Sequence, residues 1–333
     1  MNNPLVSIIV PVYNVENFIE KCAITLFEQD YDNIEYIFVN DCTPDGSISV
    51  LREIIKKYPN RKNSIKIINK EKNEGLPQAR KTGLENSNGE YIMHVDSDDW
   101  VELDMVSSLV KEAIKTDSDI VICDYYINYK DKEKYCSQDI NLYNLDKYLM
   151  DCFVLKTQKV SIWSKFCKRN VYQNIEFPTF SNAEDFFIHI QIFYHYFNDI
   201  HYLNKAFLHY NKTNENSITY KTVSDKKIKE LYYFDKQIQI FLKENDIYDK
   251  FIEYHYIGLL HRAIAITGGK YNNILNGIAP EANKLRYIWK NYSFNFYKKI
   301  LYTFCFFNIN IIFMYNILKN MKANFILFLK NNV

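Results

Sequence analysis

Through its first 124 residues the chain alternates short apolar runs with amphipathic stretches of helical length, and that alternation restricts the fold more than any single motif. Val6–Val12 (VSIIVPV), 34–39, Ile65–Asn69, 91–95 and 120–124 are compact runs rich in β-branched and aromatic residues, the pattern of buried strands. Between them, 16–29 sets Phe18, Ile19, Cys22, Ile24, Leu26 and Phe27 mostly on one side of a helix. The stretches 47–58, 77–86 and 104–116 also predict helices, with Asn88-Gly89 terminating the middle one. Strands separated by helices of this length predict an α/β fold, a Rossmann-like and mostly parallel sheet flanked by helices. In such sheets ligands bind beyond the carboxyl ends of the strands.

The polar residues collect at those ends. Asn14, Asp41 and the acids of His94-Val95-Asp96-Ser97-Asp98-Asp99-Trp100 each follow a predicted strand. Clustered carboxylates repel one another and are costly to bury unpaired, so a packed domain seldom keeps them without a cation. Oxygen ligands of this kind suit Mg²⁺ or Mn²⁺, which bind through one or two carboxylates together with substrate phosphates. The run predicts a metal–diphosphate site. Its plain alternative is a solvated acidic turn, in which Asp99 caps the helix that follows. No Gly-x-Gly-x-x-Gly follows the first strand and no P-loop motif occurs anywhere, so a nucleotide is expected on side chains and metal rather than in a glycine cradle.

Bulk properties remove other classes. A net charge of +1 over 333 residues argues against a nucleic-acid partner. The Cys at 22, 42, 123, 136, 152, 167 and 305 form no Cys-x-x-Cys pair, so neither a zinc site nor a disulfide framework is indicated. The start, Met1-Asn2-Asn3-Pro4, lacks a basic region and the next apolar stretch is short for a secretory signal. A reducing, cytoplasmic setting is expected.

Further pieces complete an ordered set. Val6-Ser7-Ile8-Ile9-Val10-Pro11-Val12-Tyr13-Asn14 is followed by Glu35-Tyr36-Ile37-Phe38-Val39-Asn40-Asp41, then Asn73-Glu74-Gly75-Leu76-Pro77-Gln78-Ala79-Arg80 and Gly89-Glu90-Tyr91-Ile92. Asp96-Ser97-Asp98, Trp163-Ser164-Lys165 and Asn182-Ala183-Glu184-Asp185 come next. Over residues 4–220 this order resembles the family 2 glycosyltransferases, inverting GT-A enzymes of the bacterial surface-polysaccharide type, with Asp96-Ser97-Asp98 as the DxD motif. Asn40 departs from the pattern, which usually has an acid there, and Cys42 stands where glycine is common.

The resemblance implies roles. Asp98 ligates a divalent metal, Mn²⁺ or Mg²⁺, with Asp96 supporting through the ribose or the metal shell. Asp185 is the general base, and Glu184 and Trp163 serve the acceptor side. Asp41 binds the nucleobase, with Pro11, Tyr13 and Asn14 lining base and ribose. Arg80 meets base or phosphate, or forms an exposed ion pair. The residues alone allow plainer roles: a helix-start acid for Asp185, an Asx-turn for Asp41 and a core ring for Trp163. The implied activity is of hexosyltransferase type, metal-assisted transfer from a nucleotide sugar, UDP-linked, to a hydroxyl of a glycan or lipid-linked glycan. A catalytically degenerate nucleotide-sugar scaffold and a haloacid-dehalogenase-like phosphatase are the alternatives.

Residues 1–220 are thus expected to form the catalytic domain and 221–333 a helical C-terminal region. There Asp225–Glu244, Tyr248–Thr267 and 280–290 read as helices, separated by Gly268-Gly269 and 272–277. Residues 301–318 carry no charge, with Lys298 and Lys299 before them and Lys319, Lys322 and Lys330 after. The segment 297–330 reads either as a helix lying on an anionic membrane surface, placing the protein on the inner face of the cell membrane, or as a core or dimer-interface helix.

Overall fold

The computed structural model describes residues 3–139, 144–157, 159–214, 224–267 and 269–308. The chain divides into two compact units, one of 1–148 with 159–221 and one of 149–158 with 222–333. The second unit therefore takes in 149–158, a stretch that the sequence reading groups with the first region.

In the first unit the alternating pattern becomes β1 (Val6–Val12), α1 (Ile19–Phe27), β2 (Ile34–Asn40), α2 (Ser47–Lys57), β3 (Ile65–Asn69), α3 (Leu76–Glu85) and β4 (Tyr91–His94). It continues with β5 (Trp100–Val101), α4 (Met105–Thr116), β6 (Ile120–Asn128), β7 (Glu133–Cys136), β8 (Lys165–Lys168), α6 (Glu184–Tyr196) and β9 (Ile200–Asn211). Helix α5 (Leu145–Phe153) precedes β8 and begins in this unit. The sheet runs β3-β2-β1-β4-β8-β6-β9-β5, with β7 on β6. Strands β1 to β4 pair in parallel, as the spacing predicts. Beyond β4 the sheet is mixed. β8 runs antiparallel to β4 and β6, β9 is parallel to β6, and β5 is antiparallel to β9.

Two faces are filled differently, because alternate residues of a strand point to opposite sides. Val6, Ile8, Val10, Tyr36 and Phe38 pack with Cys22, Leu26 and Phe27 of α1, Leu51 of α2 and Leu109 of α4 in one large core. Ile37 and Val39 turn to the other face and meet Ala79 of α3. Each such Val or Ile, buried from water, stabilises the fold by about 1.5–3 kcal/mol. Helix α3 lies very close to the sheet: a Cβ built on Gly83 would stand 2.3 Å from Cγ2 of Ile9.

Parallel pairing also aligns the strand ends. Val12 lies opposite Asn40, and Ile9 opposite His94, so the segments after β1, β2 and β4 leave the sheet at one edge. Antiparallel β8 starts at that edge with Lys165, and β9, parallel to β6, finishes there at Asn211.

The second unit is helical: α7 (Asp225–Glu244), α8 (Tyr248–Thr267), α9 (Asn272–Ile278), α10 (Leu285–Lys290) and α11 (Phe296–Phe306). Two sequence expectations are corrected. Residues 272–278 form a helix rather than a separator, and 280–290 is a 3₁₀ turn, Pro280–Ala282, followed by the separate α10. Pro280 explains why α9 stops, since it lacks the N–H that would continue that helix. Most of 297–330 lies outside the described residues. Among the described residues no helix is long and apolar enough to cross a membrane.

Candidate active site

The segments after β1 and β2 are knitted to each other before they meet anything else. Asn14, at φ 57, donates its backbone N–H to Thr43 Oγ1 at 2.8 Å. The backbone N–H of Glu16 donates to Asp45 at 2.9 Å, and Gly46 N–H returns a bond to Glu16 at 2.9 Å. Asn40 accepts from Thr43 N–H at 2.9 Å and donates to Asn69 at 2.9 Å, so the residue that replaces the usual acid braces the loop. Pro11 is buried in β1, whereas Tyr13 is 45% exposed beside it. Asp41 is buried and accepts from the backbone N–H groups of Glu74 and Gly75 at 3.0 and 2.8 Å. Lys70 adds an ion pair at 3.1 Å. Asp41 thus holds the turn into α3, where Gly75 sits at φ 90.

The acidic run after β4 is not a solvated turn. Asp96 and Asp98 are half-buried, while Ser97 and Asp99 between and beside them are buried. Asp99 does not cap α4. Its Oδ1 accepts from the backbone N–H of Asn211 at 2.8 Å. The Asn211 side chain donates to the Asp98 carbonyl at 3.1 Å, and Asn214 donates to Asp98 Oδ2 at 2.8 Å. Burial and then the charge of Asp96 push Asp98 above its ordinary carboxylate value. Asp99 is pushed up strongly by burial, then by Asp98 and Asp96. Strand β5 is braced immediately after the run, with Trp100 stacked on His209 at 5.1 Å and His209 on Tyr126 at 4.9 Å.

Asn211 and Asn214 are site residues that the sequence reading missed. The signal lay in Ile200–Asn211, an aromatic and aliphatic run of strand type that ends beside them.

Helix α6 opens with Glu184 and Asp185 after Ala183, which adopts φ 67. Neither acid makes an N-cap hydrogen bond. Both turn to Arg80 of α3. Its guanidinium donates to Glu184 at 2.7 Å, to Asp185 at 3.0 Å and to Asp96 at 2.7 Å. Arg80 is therefore in a buried ion cluster, not an exposed pair. Its side chain is 1% exposed and that of Glu184 6%, whereas Asp96 and Asp185 remain 21% and 28% exposed. The two exposed acids flank the hidden cation. Burial raises Asp185 and raises Glu184 further, with Arg80 opposing both shifts. Beneath the cluster, burial and then Arg80 hold His94 well below its ordinary value, so it stays neutral.

Trp163 is 7% exposed and packs between Tyr125 and Tyr210, at 4.9 and 5.9 Å between ring centres. Its ring is taken up by the core.

The donor set fits a hard divalent cation. Asp96 and Asp98 are half-buried carboxylates two residues apart, and a cation beside Asp98 would offset the repulsion from Asp96 that adds to the effect of burial. Among the described residues no three His, Cys, Asp or Glu side chains form a cage for a metal ion.

Comparison with known proteins follows the same lines. The glycosyltransferase GlyA of Streptococcus pneumoniae is 32% identical over 216 residues, covering 62% of this chain and 30% of its own length. The uncharacterized glycosyltransferase EpsJ of Bacillus subtilis is 46% identical over 132 residues, covering 40% of this chain and 37% of its own. The chain thus spans well under half the length of these relatives. Its fold matches that of S. aureus TarS 1–349, solved in complex with UDP-GlcNAc, at a TM-score of 0.63 and 21% identity over 86% of this chain and 83% of that one. Residues 7–183, more than half of the chain, match the glycosyl transferase family 2 profile. With a GT-A sheet whose carboxylates gather at one strand edge, the chain belongs to glycosyl transferase family 2.

Proposed function

We propose that residues 1–220 transfer a sugar, with inversion, from a nucleotide-sugar donor to a hydroxyl of a glycan or lipid-linked glycan. The observation that carries this reading is the pairing of Asp96 and Asp185 across buried Arg80, with Asp98 half-buried two residues from Asp96. Asp185, partly exposed, takes the proton of the acceptor hydroxyl as that oxygen attacks the anomeric carbon. Glu184 supports it from beneath, because it is too buried to meet an acceptor itself. Tyr13, exposed at the end of β1, lies against the nucleobase, with Pro11, Asn14 and Asp41 fixing its surroundings. Asp98, held by Asn214, binds Mn²⁺ or Mg²⁺, with Asp96 in support. Such a cation, when bound, neutralises charge on the departing diphosphate. A UDP-linked donor is favoured because TarS, which shares the fold, was solved with UDP-GlcNAc.

The phosphatase alternative loses its support, since the paired acids follow β4 rather than the first strand. For the helical region 221–333 the reading is contact with the cytoplasmic face of the membrane, supported by the exposed rings of Trp289, Phe296, Tyr297 and Phe307.

A donor screen that follows nucleoside diphosphate release, with and without Mn²⁺, tests the reading, and NMR of the product anomer tests inversion. Release is expected to require the metal and to vanish in Asp98→Asn. Metal-independent release at the same rate by both proteins would overturn the metal role. A nucleotide sugar that binds but is never turned over would favour the scaffold.

A further inference from the structure

We infer that Arg80 is a positioning residue: without touching substrate, its guanidinium holds Asp185 as an aimed carboxylate by bridging it to Glu184 and to Asp96. The inference rests on the reading of Asp185 as the base.

The geometry separates Arg80 from substrate. Its side chain is 1% exposed, and the three hydrogen bonds it makes all run to carboxylates. Asp96 comes from the segment after β4 and Asp185 from the start of α6, so nothing local in the chain fixes their separation. A guanidinium has a rigid fork of donors, and only such a fork reaches several carboxylates at once. Here one terminal nitrogen serves Asp96 at 2.7 Å, and the other serves Glu184 at 2.7 Å and Asp185 at 3.0 Å.

Charge follows from the same contacts. Three carboxylates share one cation, and Asp185 is faced by Glu184 on its own helix, by Arg80 from α3 and by Asp96 from the segment after β4. Lys165 at the start of β8 also favours its ionised form, and the hydroxyl of Tyr172 lies within range of its charge. Burial raises Asp185, and Arg80 is the first of the groups that oppose the rise. Without Arg80 the carboxyl would hold its proton to higher pH and would be unable to accept one from a hydroxyl. An opposite charge at this range shifts a carboxylate by about one to three pH units.

The test uses full-length protein and three variants, Arg80→Gln, Arg80→Lys and Asp185→Asn. Two readouts are taken: the pH profile of kcat, and the titration of the Asp185 carboxyl in protein labelled with ¹³C-aspartate, its resonance identified by loss in Asp185→Asn. In Arg80→Gln both the acid limb of kcat and the Asp185 titration should move up by at least about one pH unit. In Arg80→Lys, which keeps the charge but not the fork, the limb should move less while kcat at its plateau still falls. UDP affinity should change less than about threefold in both, a far smaller loss than a missing charge-assisted contact to the diphosphate would cause. An unmoved Asp185 resonance in Arg80→Gln overturns the inference and leaves Arg80 a strut of the fold. UDP affinity that falls in step with kcat also overturns it, by making Arg80 a donor ligand. Because the resonance is read without turnover, full transfer by Asp185→Asn would refute the base while the titration still decides for or against Arg80.

Discussion

Each unit of the chain buries a charged cluster, and the two are balanced differently. In the helical unit Asp235 and His255 are both essentially unexposed and share a 2.9 Å hydrogen bond, and Gln239 donates to both oxygens of Asp235 at 3.0 and 2.9 Å. One acid meets matched donors there. Although burial opposes it, the His255 and Gln239 hydrogen bonds hold Asp235 below its ordinary value. In the first unit one Arg80 is shared among three acids, burial raises two of them, and Asp96 and Asp185 stay partly open to solvent. A satisfied cluster is what a fold needs for stability. An overcharged cluster with an open side is what a reaction needs, because its acids are poised to take up a proton or a cation.

Breaking each cluster should show the difference. The largest effect is expected from Asp185→Asn, which should lower kcat by about 10²- to 10⁴-fold with UDP affinity retained, as single-turnover assays and titration calorimetry would read. Asp235→Ala should do the opposite. It leaves the buried ring of His255 without that hydrogen bond, so denaturant unfolding should lose about 1–3 kcal/mol while kcat per folded molecule holds. If Asp235→Ala abolished transfer in a stable protein, the distinction between the two clusters would fail.

Smaller effects refine the picture. Gly83→Ala should cost about 1–3 kcal/mol by overpacking α3 against Ile9, and equilibrium unfolding would detect it. Asn214→Ala removes the donor on Asp98 and should weaken Mn²⁺ binding about tenfold, measured by Mn²⁺ titration in the presence of UDP; unchanged affinity would free Asp98 from that support.

Acid should act on the clusters with opposite sign. Glu184 is raised, so the folded state takes up its proton before the unfolded chain does, and its surroundings gain stability as pH falls from neutral. Asp235 is lowered, so its contribution is intact above the ordinary carboxylate value and is lost as pH falls through its lower folded value. Hydrogen exchange corrected for intrinsic rates should show α6 gaining protection as pH falls from neutral toward the ordinary carboxylate value, with α7 and α8 losing theirs only below that value. Loss in both regions at the same pH would break the comparison.

Much of the first unit is legible in the chain. The apolar runs of β1 to β4 and the helices between them follow from local periodicity, and parallel pairing then places Asn14, Asp41 and Asp96–Asp99 at one edge. The strands β5, β7, β8 and β9 are not legible in the same way. They are antiparallel or irregular partners whose pairing spans up to 109 positions, from Trp100 to His209, and β5 is two residues long. Missing β9 hid Asn211 and Asn214. Pro280 was readable as a break, but whether 272–278 coiled depended on packing around buried Leu275.

The sequence by itself determined which acids exist and at which strand ends they emerge, because strand periodicity and the requirement for short connections act locally. Only the tertiary structure decided which of those acids stay partly exposed, that Asp99 is taken up by Asn211 and Trp163 by the core, and that Arg80 stands between Asp96 and Asp185. Those outcomes depend on burial and on contacts between separate elements, up to 112 residues apart for Asp99 and Asn211, and local chain chemistry carries no record of either.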